Sequence, residues 1–153
     1  MTIRVDRVAS VPRYVSLFSP VIHALLKRGI PLGPNAIITI RGRTSGEPRT
    51  TPIAIIDVAG RRWVWAPWGD VHWVRNLRAA GRATVSFRGR VEEVTATELG
   101  EHERVAFFRD VLVPLARSMP GGTTFVRVVD QVDLSDPEAA AEGRRVFELQ
   151  AVT

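Results

Sequence analysis

The sequence predicts an α+β fold that is mainly β: a small antiparallel β-barrel of about six strands flanked by helices. Three observations predict it. From Asn35 to Thr97, short β-branched runs alternate with glycine-bearing turns, and little chain lies between them for parallel crossovers. One helical stretch, Asp70 to Ala80, interrupts the strands, and the last third carries helical spacing before a closing apolar run. A chain of 153 residues, 45% hydrophobic and 24% charged, is ordinary for one domain, here residues 1–153. A domain of this size buries roughly 68–70% of its unfolded surface.

The elements follow in order. A helix is expected within about residues 15–29, where Ser19-Pro20 supplies a hydroxyl cap and a proline at the first helical position. Lys27 and Arg28 suit its carboxyl end, and Gly29 with Pro31 stops it. Val21, Ile22, Leu25 and Leu26 form one stripe, so this helix lies on the barrel or on a membrane. Ala36–Arg41, Arg49–Val58 and Arg62–Ala66 read as strands, the last two joined by a hairpin at Gly60. Gly81 ends the interrupting helix. Ala83, Val85 and Phe87 then alternate with Thr84, Ser86 and Arg88, and Gly89 turns the chain into Val91–Thr97.

In the last third, Val105, Phe108, Leu112, Leu115 and Met119 make the stripe of a core-packed helix, which Pro114 is expected to kink. Thr124–Val129 fits strand or helix equally. Ser135-Asp136-Pro137-Glu138 is a capped helix start, and Val146–Val152 is a closing strand.

Composition narrows the function. With no cysteines there are no disulfides or thiolate metal sites, and His23, His72 and His102 lack metal-ligand spacing. Net charge is +5, and of 21 basic residues only Lys27 is lysine. A GC-rich genome accounts for most of that ratio, while the sign favours acidic ligands. No stretch is apolar and long enough for a membrane span, and no signal peptide is evident, so a cytoplasmic location is expected, with membrane contact through the opening helix as a variant.

Two segments carry chemistry. The first is Gly42-Arg43-Thr44-Ser45-Gly46-Glu47-Pro48-Arg49-Thr50-Thr51-Pro52, read as a hairpin tip between Ile40 and Ile53. Arg43 and Arg49 flank Thr44, Ser45 and Gly46 there. Gly46 permits left-handed angles, so its amides can form an anion-holding nest, and the guanidinium groups can grip phosphate oxygens. A solvated basic turn has the same composition.

The second segment holds all four tryptophans: Trp63, Trp65, Trp68 and Trp73. Trp63 and Trp65 share a strand face and suit the core. Trp68 and Trp73 bracket the strand-to-helix junction Gly69-Asp70-Val71-His72, where backbone amides are accessible to a ring-shaped ligand. Esterase, Walker and dinucleotide-binding glycine motifs are absent. Glu92-Glu93 and Glu101/Glu103 read as solvated charges, as do Arg75, Arg78, Arg82, Arg88 and Arg90. The aromatics are not interleaved with arginines, so no nucleic-acid partner is expected.

Together, Gly-Arg-x-Ser/Thr-Gly-x-Pro-Arg-x-x-Pro at Gly42–Pro52 and Trp-x-x-Asn-Leu at Trp73–Leu77 resemble the deazaflavin-dependent nitroreductase family. Pro31-Leu32-Gly33-Pro34 also looks like that family, and the resemblance covers roughly residues 15–97. It implies a split β-barrel that binds coenzyme F420 and passes hydride to quinone-like, enone or nitroaromatic acceptors. By matching position, Arg43, Ser45 and Arg49 would hold the phosphate, with Thr44, Gly46 and Pro52 beside them. Ala66, Pro67, Trp68 and Gly69 would line the deazaflavin, with Trp73 and Asn76 next to the ring.

The chain departs from the family at Thr44, where many relatives carry lysine. It also lacks carboxyl-terminal tyrosines, since its one tyrosine is Tyr14. A proton for the reduced acceptor is then expected from water, Ser86 or another group. Tyr14 and Phe18 on the opening helix would lid the acceptor side. An FMN-binding barrel and a non-catalytic deazaflavin carrier are the alternatives, as a monomer or homodimer.

Overall fold

The computed structural model describes residues 35–129 and 132–152. The opening helix, with Tyr14 and Phe18, lies outside the described residues. Six strands form a closed antiparallel barrel: β1 (Asn35–Arg41), β2 (Pro48–Val58), β3 (Arg61–Ala66), β4 (Arg82–Phe87), β5 (Arg90–Glu98) and β6 (Arg145–Ala151). Around the wall the order is β1-β2-β3-β6-β5-β4, with β4 returning to β1 through Ile38 opposite Val85.

β2 serves two neighbours in succession. Its first half pairs with β1, from Pro48 opposite Arg41 to Ala54 opposite Asn35, and its second half pairs with β3. Pro52 sits in the half with one partner, which is where a strand tolerates a missing N–H. The hairpins are tight: Ala59 and Gly60 both have positive φ, as do Arg88 and Gly89, matching the twist of the strands they join.

Alternation sorts the strands into two cores. Inside the barrel lie Ile38, Ile40, Ile53, Ile55, Val64, Val85, Val94, Phe147 and Leu149. The helix α1 (His72–Ala80) closes one end, contributing Val74 and Leu77 with Trp73 and Ala80 packed beside them. It stops at Gly81, whose left-handed φ of 69° lets its N–H reach the Leu77 carbonyl. β4 starts immediately after, so its Arg82 end lies by α1 and its Ser86 end lies away from it.

The second core lies outside the wall. Trp63 and Trp65 point there as expected, against α2 (Glu101–Phe107) and the segment that follows it. Trp65 meets Phe108 edge-on with ring centroids 5.5 Å apart, and Trp63 lies 5.7 Å from Phe107. Both consecutive phenylalanines face inward because Phe108–Leu112 is a π-helical turn, in which the Val113 N–H reaches back to the Phe108 carbonyl. This wide turn precedes Pro114, the residue that cannot donate in a regular helix, and α3 (Val113–Ser118) continues beyond it. The expected kink is therefore a widened turn.

The expected stripe holds at Phe108 and Leu112 but fails at Met119, which is 49% exposed because the helix has ended and its backbone is extended. The ambiguous Thr124–Val129 belongs to a helix, α4 (Gly122–Val129). α5 (Pro137–Ala141) begins where expected, with the Asp136 carboxylate accepting from the Ala139 N–H.

Candidate functional site

The turn between β1 and β2 and the junction between β3 and α1 meet at the same end of the barrel. Arg41 ends β1 opposite Pro48, so the turn proper is 42–47. Arg49 is thus a strand residue opposite Ile40, and Ile53 lies opposite Ala36, deeper than a hairpin joining Ile40 to Ile53 implies. The turn is tightly drawn. Gly42 is buried, its N–H donates to the Glu47 carbonyl at 2.8 Å, and a Cβ on it would come within 2.7 Å of Ser45 Oγ.

Gly46 has the expected positive φ of 74°. Its amide is nevertheless committed to the Gly42 carbonyl at 2.9 Å, and the Glu47 amide to Ser45 Oγ at 3.2 Å. These two amides are spent on the turn itself, so an anion here relies on side chains more than on an open nest.

Arg43 joins the two segments. Its amide donates to Asn76 Oδ1 at 3.2 Å, and its Nη1 donates to the same oxygen at 2.7 Å and to the His72 carbonyl at 3.5 Å. Asn76 is buried at 7% exposure, held in place because α1 turns that face toward the barrel end. All of these acceptors are neutral, so among the described residues the positive charge of Arg43 has no acidic partner. Three arginines (Arg41, Arg43 and Arg49) stand on or beside the turn against the single acid Glu47. Thr44 and Ser45 are exposed at its tip.

The second half of the site is apolar and flat. Ala66 ends β3 fully buried, Pro67 and Trp68 are half-buried, and Gly69 turns the chain with a φ of 76°. The Val71 N–H closes that turn onto the Gly69 carbonyl at 2.9 Å. Trp73 faces the barrel core with its ring 6.4 Å from that of Phe147. Trp68 Nε1 is buried without a hydrogen-bond partner among the described residues, a donor of the kind that a polar ring ligand satisfies.

Not every expected residue joins the site. Pro52 lies along β2 opposite Ile37, past the turn. Ser86, expected as one possible proton source, lies at the end of β4 away from α1, opposite Val91 beside the Arg88–Gly89 hairpin, and so stands apart from the turn and the junction. Arg78 is exposed, as expected, but it is paired. It grips Glu98 through Nε and Nη2 at 2.6 and 2.9 Å and reaches Asp70 at 2.9 Å. Glu92 likewise is paired, with Arg62. Among the described residues no group of His, Asp or Glu is placed to hold a metal, and no helix is long and apolar enough to cross a membrane.

A cationic turn with no acidic partner among the described residues, beside an aromatic ledge on a six-stranded barrel, is a site suited to an anionic, ring-bearing coenzyme, as in barrel oxidoreductases. Residues 22–119 match the family described as F420H(2)-dependent quinone reductase, and the chain belongs to that family. It is an F420H2-dependent oxidoreductase.

Solved structures share the fold. An F420-H2 dependent reductase (FDR-A) is 20% identical, with a TM-score of 0.50 over 76% of this chain and 94% of that one. A protein solved as a domain-swapped dimer is 18% identical, with a TM-score of 0.54 over 90% and 98%. A Clostridium acetobutylicum protein of the pyridoxinephosphate oxidase family, related to general stress protein 26 of B. subtilis, is 12% identical, with a TM-score of 0.50 over 88% and 84%.

The donor set fits the coenzyme. A phosphate takes guanidinium groups and hydroxyls, which the turn has, and a polar flat ring takes a ledge with a hydrogen-bond donor, which Trp68 Nε1, unpartnered among the described residues, supplies.

Proposed function

We propose that the chain passes a hydride from reduced F420 to a small, flat, activated acceptor of the quinone or enone class. Arg43, Ser45 and Arg49 hold the coenzyme phosphate, with Thr44 and Gly46 shaping the tip. Ala66–Gly69, Trp73 and Asn76 receive the ring. The observation that carries this reading is the bond from Arg43 to Asn76, which makes the phosphate side and the ring side one rigid unit.

When bound, the reduced coenzyme supplies the hydride. The residues of this chain supply placement. Asn76 orients Arg43, Arg43 and Arg49 anchor one end of the ligand, and the floor formed by buried Ala66 and half-buried Trp73 excludes water from the ring. Holding donor and acceptor in contact in this way is worth up to roughly 7–11 kcal/mol of barrier. The acceptor also takes up one proton. With Ser86 remote and the tyrosine donors of the family lacking a match, solvent at the open face is the source this reading favours.

Titration with purified F420 tests the reading. Deazaflavin fluorescence should respond at micromolar protein, and an unchanged signal would sink the proposal. Arg49→Ala should weaken binding by roughly tenfold or more, the loss of one charge-assisted contact. Arg75→Ala, on the exposed side of α1, should change it little. Equal effects would misplace the phosphate.

A further inference from the structure

Beside the ledge lies a polar cleft of about 410 Å³ lined by Asp70, Arg78, Glu98, Leu99, Arg104 and Arg145. It adjoins the ring side through the chain itself: Asp70 follows Gly69, and Arg145 pairs with Ala66 across β3 and β6. Its charges are unevenly used. Asp70 accepts from both Arg78 and Arg145, and Glu98 is held by both arms of Arg78. Arg104 forms no ion pair among the described residues. Its Nη1 donates to the Leu99 carbonyl at 3.3 Å, and its Nε is buried with no partner. Burial and the neighbouring charge of Arg145 both hold its pKa below the usual guanidinium value, against weaker opposing influence from Glu101 and Glu98.

Two of the three guanidinium groups lining the cleft, Arg104 and Arg145, with Arg104 carrying a buried Nε that has no partner and no ion pair among the described residues, make a receptor for a planar two-oxygen anion. We propose that the Arg104–Arg145 cleft seats a carboxylate carried by the hydride acceptor, so that this chain prefers anionic acceptors over neutral ones with the same ring. The assignment of the cleft to the acceptor rests on the ring lying along Ala66–Gly69, as proposed above.

Calorimetry on the coenzyme-free protein tests the cleft directly, with 2-naphthoate and 2-naphthamide as redox-inert probes. Naphthoate should bind at least about tenfold tighter than the amide, and Arg104→Gln should erase the difference. Equal binding of both probes, or naphthoate binding unchanged in Arg104→Gln, would overturn the proposal. Should Arg104→Gln fail to fold, Arg104→Lys keeps the charge and loses the fork, and it should retain only part of the preference. Full retention there would overturn the two-oxygen geometry.

With coenzyme present, Arg104→Gln should raise KM for a carboxylated naphthoquinone while leaving that for menadione unchanged. An F420 response without naphthoate binding removes the cleft alone. Naphthoate binding without an F420 response removes the acceptor assignment and the coenzyme reading beneath it.

Discussion

Asn76 is the one polar residue in the buried set among the described residues, and both of its contacts are to Arg43. Replacing it by Leu, which has the same branching, removes the acceptor for two donors and leaves the turn untethered. Asn76→Leu should lower stability by about 1–3 kcal/mol in urea unfolding and weaken F420 binding, whereas the exposed neighbour Arg75→Ala should do neither. A stable variant with unchanged coenzyme affinity would show that the tether is irrelevant to the site. The sequence pointed to Arg43 and to Asn76 separately through their motifs. Their contact spans 33 positions and was not legible, because nothing local in either motif names the other. Arg104 escaped notice altogether: on a helix with the charged neighbours Glu101 and Glu103 it reads as one more solvated arginine, and only burial distinguishes it.

At the scale of elements, the strands were legible because each rests on β-branched alternation between turn glycines, and the ends of α1 because Gly81 takes the left-handed angle that its position suggests. The helical third was less so. The π turn at Phe108–Leu112 arises from packing two consecutive phenylalanines under Trp63 and Trp65, which a stripe with fixed spacing does not express. α4 was undecided because Val126 and its neighbours fit either period, and what decides is a close approach: a Cβ on Gly122 would lie 2.2 Å from the Ala116 carbonyl oxygen. Gly122→Ala should therefore destabilise by roughly 1–3 kcal/mol in thermal unfolding, despite alanine's better helix propensity. At the β2–β3 hairpin the sign reverses. Ala59 holds a φ of 53°, which asparagine tolerates better, so Ala59→Asn should stabilise by about 0.5–1 kcal/mol in the same measurement.

At the scale of the molecule, Asp70 and Glu98 tie α1 to β5 and β6 through Arg78 and Arg145. The hydrogen bond from Arg78 is the main reason that the Asp70 carboxyl sits below its ordinary value; burial opposes it, and the charges of Arg145 and Arg78 assist. A carboxyl depressed in the folded state contributes fully above its unfolded value and loses that contribution as pH falls through its folded one. Urea midpoints should thus drop as pH falls through the ordinary carboxylate range and below it, and Asp70→Asn should show a shallower decline. An identical slope in the variant would mean that the network contributes nothing to acid sensitivity.

The closed wall also sets an order in time. β6 supplies the partner of both β3 and β5, with Val146 opposite Trp65 and Ala151 opposite Val94. Until a ribosome has released the chain through Ala151, those two strands carry bare edges, and a nascent chain paused before Arg145 is an open sheet ready to pair with any extended neighbour. Chaperone dependence and loss to aggregation should therefore concentrate in the interval before that strand emerges, whatever the stability of the finished enzyme.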